Sequence, residues 1–328
     1  MFDIITVGSA TMDVFADTDS ELIKIKTSHS EEDFLAYPAG AKLIVKNLTF
    51  SSGGGGTNTA VSFSRLGLKT GYLGEVGRDE SGDRILRELA KEKVKFIGTR
   101  GSEISGYSII LDSIEDDRTI LTYKGANDHL HFSEIRKPVL RAKWFYFSSM
   151  MNDSYRTLEQ LADFAKKHGI KVAFNPSNYL ASKGKNFLKK VIDNTTALVL
   201  NKEEANLVLG LVNADYHMLL RGLHLLGPQY VIITDGKVGV YAYDGKEAWF
   251  VPSRPVKIIE TTGAGDAYAS GFVSGLIKTG DFKTAMKVGM VNAEAVLTHK
   301  GAKKSLLSWK MAMSAIRKGR ISFHHLHV

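Results

Sequence analysis

Short apolar runs alternate with longer stretches of helical period along most of the chain. Phe2–Val7 reads as a strand, Thr59–Leu66 as a helix ending at Gly67, and Thr70–Glu75 as a second strand. Ser81–Lys93 reads as a helix with Ile85, Leu86, Leu89 and Ala90 on one side. Trp144–Phe147, Val172–Phe174, Leu198–Leu200 and Tyr230–Thr234 read as further strands, with helices at Ser154–Lys167, Lys183–Asp193, Glu203–Leu209 and Tyr216–Leu226 among them. Near-continuous apolar strands separated by amphipathic helices predict an α/β fold: a doubly wound, mostly parallel sheet with helices on both faces. Gly239–Tyr243 and Ala248–Val251 flank Asp244-Gly245, a hairpin signal. Val256–Ile259 reads as one more strand, followed by helices Ala264–Lys278, Lys283–His299 and Leu307–Lys318.

Two segments break this rhythm. Residues 15–50 show no helical period and contain Pro38 and Gly40. Residues 105–124 read as strands Tyr107–Leu111 and Thr119–Tyr123 joined by the acidic turn Glu115-Asp116-Asp117. Together they predict a small β-sheet inserted in the core, standing over the C-terminal strand ends as a lid. Two unrelated surface hairpins are the alternative. No repeat or linker divides the chain, so residues 1–328 are expected to form one domain.

Composition narrows the class. Of 328 residues, 44% are hydrophobic and 24% charged, as in a globular protein. The net charge of +8 is dispersed, which argues against nucleic acid as a partner. The densest basic segment, Lys303–Arg320, reads as the solvated face of a C-terminal helix. With no cysteine there is no disulfide and no thiolate-held metal. The N-terminus enters a strand directly and no apolar run is long enough to span a bilayer, so a cytoplasmic location with no membrane partner is expected. His324, His325 and His327 read as a frayed tail.

The chemistry concentrates in a few places. Glu260-Thr261-Thr262-Gly263-Ala264-Gly265-Asp266 joins a strand-like run to a long helix. Backbone amides and the helix dipole at such a turn favour phosphate. A carboxylate there makes sense as a base: Asp266 would take a proton from a hydroxyl while the amides hold the phosphoryl group it attacks. An ordinary N-terminal Asp is the bland alternative. Ser52-Gly53-Gly54-Gly55-Gly56-Thr57-Asn58 permits close backbone approach to a polar ligand, with Asn58 able to donate and accept, or serves as a hinge. Asp13, just past the first strand, is placed to hold two hydroxyls or to sit in a turn. Asn201 and Glu204 are three apart, which suits a capping box, water around a phosphate-bound Mg²⁺, or both. Thr234-Asp235-Gly236-Lys237-Val238-Gly239 can cradle nucleotide phosphates or merely turn the chain. No P-loop is present, and Gly8-Ser9-Ala10 lacks the second glycine of a dinucleotide fingerprint.

In sequence order these segments resemble the ribokinase-like, or PfkB, carbohydrate and nucleoside kinases. The resemblance rests on Gly53-Gly54 through Asn58, on Leu73 to Gly82, on Gly125-Ala126-Asn127, on Asn175-Pro176, and on Thr261 to Asp266 with Gly271 following. It spans Val7 to about Ser305. It implies ATP-dependent, Mg²⁺-dependent phosphorylation of an alcohol. By matching positions, it implies Asp266 as base and Gly263, Ala264 and Gly265 as anion hole. It implies Asp13, Gly53, Gly54 and Asn58 at the acceptor. It further implies Asn201 and Glu204 around Mg²⁺ and phosphate, the latter through water, and Thr234, Gly236, Gly239 and Asn292 at the nucleotide. Glu260 stands where many members carry Asp at a monovalent-cation site, which puts K⁺ activation in doubt. Gly55 replaces a Lys frequent in ribose-specific members. A sugar kinase is the leading expectation. A nucleoside kinase, with Phe15, Phe34 or Tyr37 stacking on a base, and a phosphosugar kinase, with Arg118 or Lys124 as cation, are the alternatives. Open lid edges suggest a homodimer.

Overall fold

The computed structural model describes residues 1–17, 21–26, 31–112 and 118–328. The central sheet runs in the order His324–Leu326, Ala248–Pro252, Gly239–Tyr243, Tyr230–Asp235, Ala197–Asn201, Lys171–Phe174, Ala142–Phe147, Phe2–Val7, Thr70–Leu73, Lys95–Phe96. From Tyr230–Asp235 to Lys95–Phe96 every pairing is parallel; the other three strands are antiparallel. The ten helices are α1 (Gly55–Arg65), α2 (Glu80–Lys91), α3 (Asn152–His168), α4 (Ser177–Ala181), α5 (Gly184–Ile192), α6 (Lys202–Leu209), α7 (Tyr216–His224), α8 (Ala264–Thr279), α9 (Phe282–Leu297) and α10 (Trp309–Lys318) among the described residues.

Alternation along the strands explains the two layers. Ile5, Val7, Phe145, Phe147, Val172 and Phe174 face one side, packed with residues of α3, α5, α6 and α7. Ile4, Trp144, Tyr146, Ala173 and Val199 face the other, against α8 and α9. Successive side chains in a strand point to opposite faces, so strands covered on both sides must be apolar throughout. The doubly wound sheet expected from the sequence is present.

A separate four-stranded sheet has the order Arg118–Tyr123, Gly106–Asp112, Thr11–Asp17, Asn47–Gly53. It begins four residues earlier than the polar pattern suggested, because Thr11–Asp17 continues almost directly from the first core strand. Between its strands lies a hairpin of Glu21–Lys26 and Glu31–Ala36. The turn Glu115-Asp116-Asp117 lies outside the described residues.

Three expectations need correction. Val256–Ile259 is not a strand: Ile258 and Ile259 are exposed, and the Ile259 and Glu260 N–H groups both donate to Leu297 O at the end of α9. The histidine tail is not frayed, since His324–Leu326 pairs antiparallel with Ala248–Phe250. The basic segment 303–320 is helical only from Trp309, and Lys303 lies buried ahead of it. Among the described residues no helix is long and apolar enough to cross a membrane.

α8 and α9 pack backbone to backbone through glycine. A Cβ on Gly275 would fall 2.4 Å from Ala285 Cα, and one on Gly271 would fall 2.9 Å from Gly289 Cα. Gly275→Val should therefore cost about 1–3 kcal/mol through overpacking, read as a lower urea midpoint. An unchanged midpoint would show that the helices can part at no cost.

Candidate active site

The strand order switches between Phe2–Val7 and Ala142–Phe147, where the chain leaves the first strand to one side and returns on the other. Open α/β sheets bind ligands outside the strand ends at such a point. Here Ser148 N–H donates to Val7 O at 2.9 Å. A Cβ on Gly8 would fall 1.8 Å from Ser148 Oγ and 2.9 Å from Gly56 Cα, so glycine here lets the start of α1 lie against the strand end.

α8 starts at the same place. Gly263 is its N-cap in the left-handed conformation (φ 79°), and a Cβ there would lie 2.4 Å from Ala302 Cβ. Asp266, in the first turn, accepts a hydrogen bond from Asn58 Nδ2 at 2.9 Å. Burial pushes the Asp266 carboxyl up to about 6; the Asn58 hydrogen bond and the Lys303 charge oppose the rise, and Asp13 adds to it. Three polar atoms nearby are buried without a partner: Asn58 Oδ1, Ser148 Oγ and Tyr146 Oη. Native interiors rarely tolerate such atoms unless a ligand or water meets them. The Tyr146 hydroxyl is held well above its usual range by burial first, then by the charges of Asp266 and Glu204.

The glycine run divides its duties. Gly54 caps α1 with φ 94°, and a Cβ on it would lie 2.5 Å from Ser9 O. A Cβ on Gly56 would meet the Gly8 carbonyl carbon at 2.6 Å. Gly53 leaves room for Asp13, whose Oδ2 would lie 1.8 Å from a Cβ there. Gly55 is the member that faces Asp266: its added Cβ would lie 3.0 Å from Ser148 Cβ and 3.6 Å from Asp266 Oδ1. Packing against the Gly8–Ala10 turn, rather than a hinge, accounts for two of the four.

Asp13 is not in a turn. It lies within the strand Thr11–Asp17, buried, with Thr11 Oγ1 donating to its Oδ1 at 2.8 Å. Burial raises its carboxyl, while hydrogen bonds from Thr11 and Ser108 and the Lys303 charge act against the rise. The small sheet that carries Asp13 is pinned at its roots. Asn127 accepts from Ala10 N–H at 2.7 Å and donates to Ala10 O at 2.9 Å. Asp79 caps α2 and accepts from Ser105 N–H and Oγ, each at 2.7 Å. These motif residues serve the framework.

Beyond α8's first turn lies a cavity of about 710 Å³. Thr234, Gly236 and Gly239 line one part, Ala264 and Gly265 another, and Val240, Val256, Tyr268, Met290 and Leu297 form an apolar wall. Arg254 Nε donates to Glu294 Oε1 at 2.8 Å, and both residues line it. Open space lies off Gly265, with no atom within 4 Å of an added Cβ. The Ala264 N–H already donates to Thr261 O at 3.2 Å, so it is a poorer phosphate donor than its neighbours.

Asn292 does not reach this cavity. It is fully buried: Nδ2 donates to Ser62 Oγ (3.1 Å) and Ala267 O (2.8 Å), and Oδ1 accepts from Leu307 N–H (3.0 Å). α9 presents Met290, Ala293, Glu294 and Leu297 instead. A buried amide with every group engaged ties helices together and has nothing left for a ligand. Asn201 and Glu204 form the capping box of α6, with bonds of 2.8 and 2.9 Å. Burial raises Glu204; the Asn201 backbone bond opposes this, and the charges of Glu203 and Asp266 add to it. Glu260 Oε2 accepts from Gly301 N–H at 2.8 Å. Among the described residues, no group of three His, Asp or Glu is placed to hold a metal.

Sequence reasoning missed Ser148, Tyr146 and Lys303. The first two lie at the C-terminal end of a core strand, where the fold itself puts ligands; that signal was available. Lys303 carried no such signal, because its basic neighbours made it read as surface.

Comparison with known proteins identifies the family. The model of the pfkB family carbohydrate kinases matches residues 1–309. A ribokinase of Haemophilus influenzae is 29% identical over 273 residues, covering 81% of this chain and 88% of its own. An ATP-dependent 6-phosphofructokinase of Thermoanaerobacterium thermosaccharolyticum is 27% identical over 259 residues, 76% of this chain and 80% of its own. The structure of a Methanocaldococcus jannaschii nucleoside kinase superposes with a TM-score of 0.78 at 23% identity, covering 97% of this chain and 99% of that one. Such kinases are phosphotransferases acting on hydroxyl groups, and the ribokinase family uses ATP with Mg²⁺. With that family model matching nearly the whole length, the chain belongs to the pfkB family of carbohydrate kinases.

Proposed function

We propose that the protein transfers the γ-phosphoryl group of ATP to a hydroxyl of a small sugar, with Asp266 as general base. The observation that carries this reading is the Asn58–Asp266 hydrogen bond at the mouth of α8. It fixes the carboxylate between Asp13, on the acceptor side, and Gly265, on the cavity side. The acceptor lies under the small sheet among Asp13, Asn58 and Ser148, with Gly53 and Gly54 shaping the floor. The nucleotide occupies the 710 Å³ cavity, its phosphates near Thr234, Gly236, Gly239, Gly263 and Gly265. Ala264 contributes the turn more than its amide.

As the acceptor oxygen bonds to the γ-phosphorus, the bond from phosphorus to the ADP bridging oxygen breaks, and the hydroxyl proton passes to Asp266. The helix dipole and the Gly265 amide stabilise charge on the moving group. Mg²⁺, when bound, neutralises phosphate charge. It needs few protein ligands because it keeps most of its water, and buried Glu204, within electrostatic reach of Asp266, suits a water-mediated role. A monovalent cation such as K⁺ at Glu260 forms no part of this reading; Glu260 Oε2 accepts from Gly301 N–H. The small sheet acts as a lid that excludes competing water, and its edge strands are the proposed contact of a homodimer.

The nucleoside reading keeps one supporting observation: Phe15 lies two residues beyond Asp13 in the same strand, on the same face. For a phosphosugar, Lys124, 3.9 Å over the Tyr179 ring, is the candidate cation among the described side chains. Measuring ADP release over a panel of sugars, sugar phosphates and nucleosides tests the acceptor class; turnover confined to nucleosides would overturn the sugar assignment.

Asp266→Asn should lower kcat by about 10²–10⁴-fold with little change in ATP affinity; near-normal turnover would remove Asp266 as base. A base must be ionised to accept a proton, so wild-type activity should fall as pH drops through about 6, the value to which burial raises Asp266. A profile flat down to pH 4 would contradict this. Gly265→Val projects into open space, so it should fold normally yet cut kcat/KM by about 100-fold or more by filling the phosphate position. Full activity in that variant would refute the phosphate placement.

A further inference from the structure

Lys303 has no place in the mechanism above, yet it is the most deeply buried lysine in the described chain, 7% exposed. Its Nζ donates to Ser52 Oγ at 2.5 Å and to Thr57 Oγ1 at 3.4 Å, and lies 3.3 Å from Glu88 Oε1. Ser52 Oγ in turn donates to Glu88 Oε2 at 2.5 Å. Each partner leads to the acceptor site. Ser52 sits in the strand beside Thr11–Asp17, paired with Met12, next to Asp13. Thr57 precedes Asn58, which holds Asp266.

Burying an ammonium is costly unless it is paired. One carboxylate, Glu88, pairs it directly, and Glu88 is half-exposed. The acceptor site meanwhile holds two buried carboxylates: burial raises both, and the charge of Asp13 raises Asp266 further. Lys303 is the cation that acts on both.

We propose that Lys303 is a positioning residue for phosphoryl transfer: its buried ammonium keeps Asp13 and Asp266 ionised together and ties the root of the small sheet to α1 and α2. This rests on Asp266 being the base. Burial lowers Lys303, and the charges of Glu88 in α2, Asp13 in the small sheet and Glu92 just past α2 act against this. Arg65 of α1 is engaged by Glu92 and by the Lys303 carbonyl. The charged and titratable groups facing Asp266 are Asp13, Lys303, Tyr146 and Glu204. Glu260 bears on Asp13. The net positive contribution at the two aspartates therefore comes from Lys303 alone among these.

The test is the acidic limb of the kcat/KM–pH profile. Lys303→Met removes the charge but keeps the bulk. Both aspartates then hold their protons to higher pH, and the limb should move up by about half a unit or more, with turnover largely recovered above it. Lys303→Gln also removes the charge but can still donate to Ser52 Oγ, so the limb should move up in the same way. This second variant also decides the matter if Lys303→Met does not fold. A limb unmoved in Lys303→Met, or unmoved in Lys303→Gln, overturns the proposal. Failure of Asp266 as base is a separate result, read from undiminished turnover of Asp266→Asn.

Discussion

The hydrogen bond from Asn58 Nδ2 to Asp266 Oδ2 is the constraint on which the rest depends. It joins residues 208 positions apart, α1 to α8, across the point where the strand order reverses. For the two helix starts to meet, the intervening backbone must be nearly bare. Hence glycine stands at 8, 54, 56 and 263, each where a Cβ would collide with backbone or a neighbouring side chain. What these residues share is close approach: they permit a carboxylate, an amide and a helix terminus to share a small volume.

That arrangement carries an electrostatic conflict. Two carboxylates are buried close together, and a phosphoryl donor brings more negative charge. The helix N-terminus and Lys303 oppose it from different sides. α8 bears on the cavity through Gly265, and Lys303 bears on the acceptor side through Ser52 and Thr57. In the proposed mechanism, a site so divided favours negative charge on the moving phosphoryl group without neutralising Asp266.

Much of the fold was legible in sequence because burial on both sheet faces demands continuous apolar strands. Val172–Phe174, Leu198–Leu200 and Tyr230–Thr234 have no other use. The limits of the reading are physical too. Val256–Ile259 has strand-like composition, but its backbone is drawn to the end of α9, with Ile258 and Ile259 exposed. His324–Leu326 pairs only because a partner edge distant in sequence is available. In the site, Asp13, Asn58 and Asp266 stood out because each polar residue lies beside glycines or a strand end. Asn292 also stood out, yet its amide is spent within the core. Lys303 was hidden by its neighbours, since a run of lysines looks alike whether or not one of them turns inward.

The account stands most directly on where the acceptor sits. A crystal structure with ADP, a planar phosphoryl mimic and a turned-over acceptor would decide it. The account predicts the reactive hydroxyl at about 2.6–3.2 Å from an Asp266 oxygen, in line with the mimic and with Asn58 still bound to the same carboxylate. An acceptor hydroxyl held by another group, with Asp266 bonded to Asn58 alone, would contradict it.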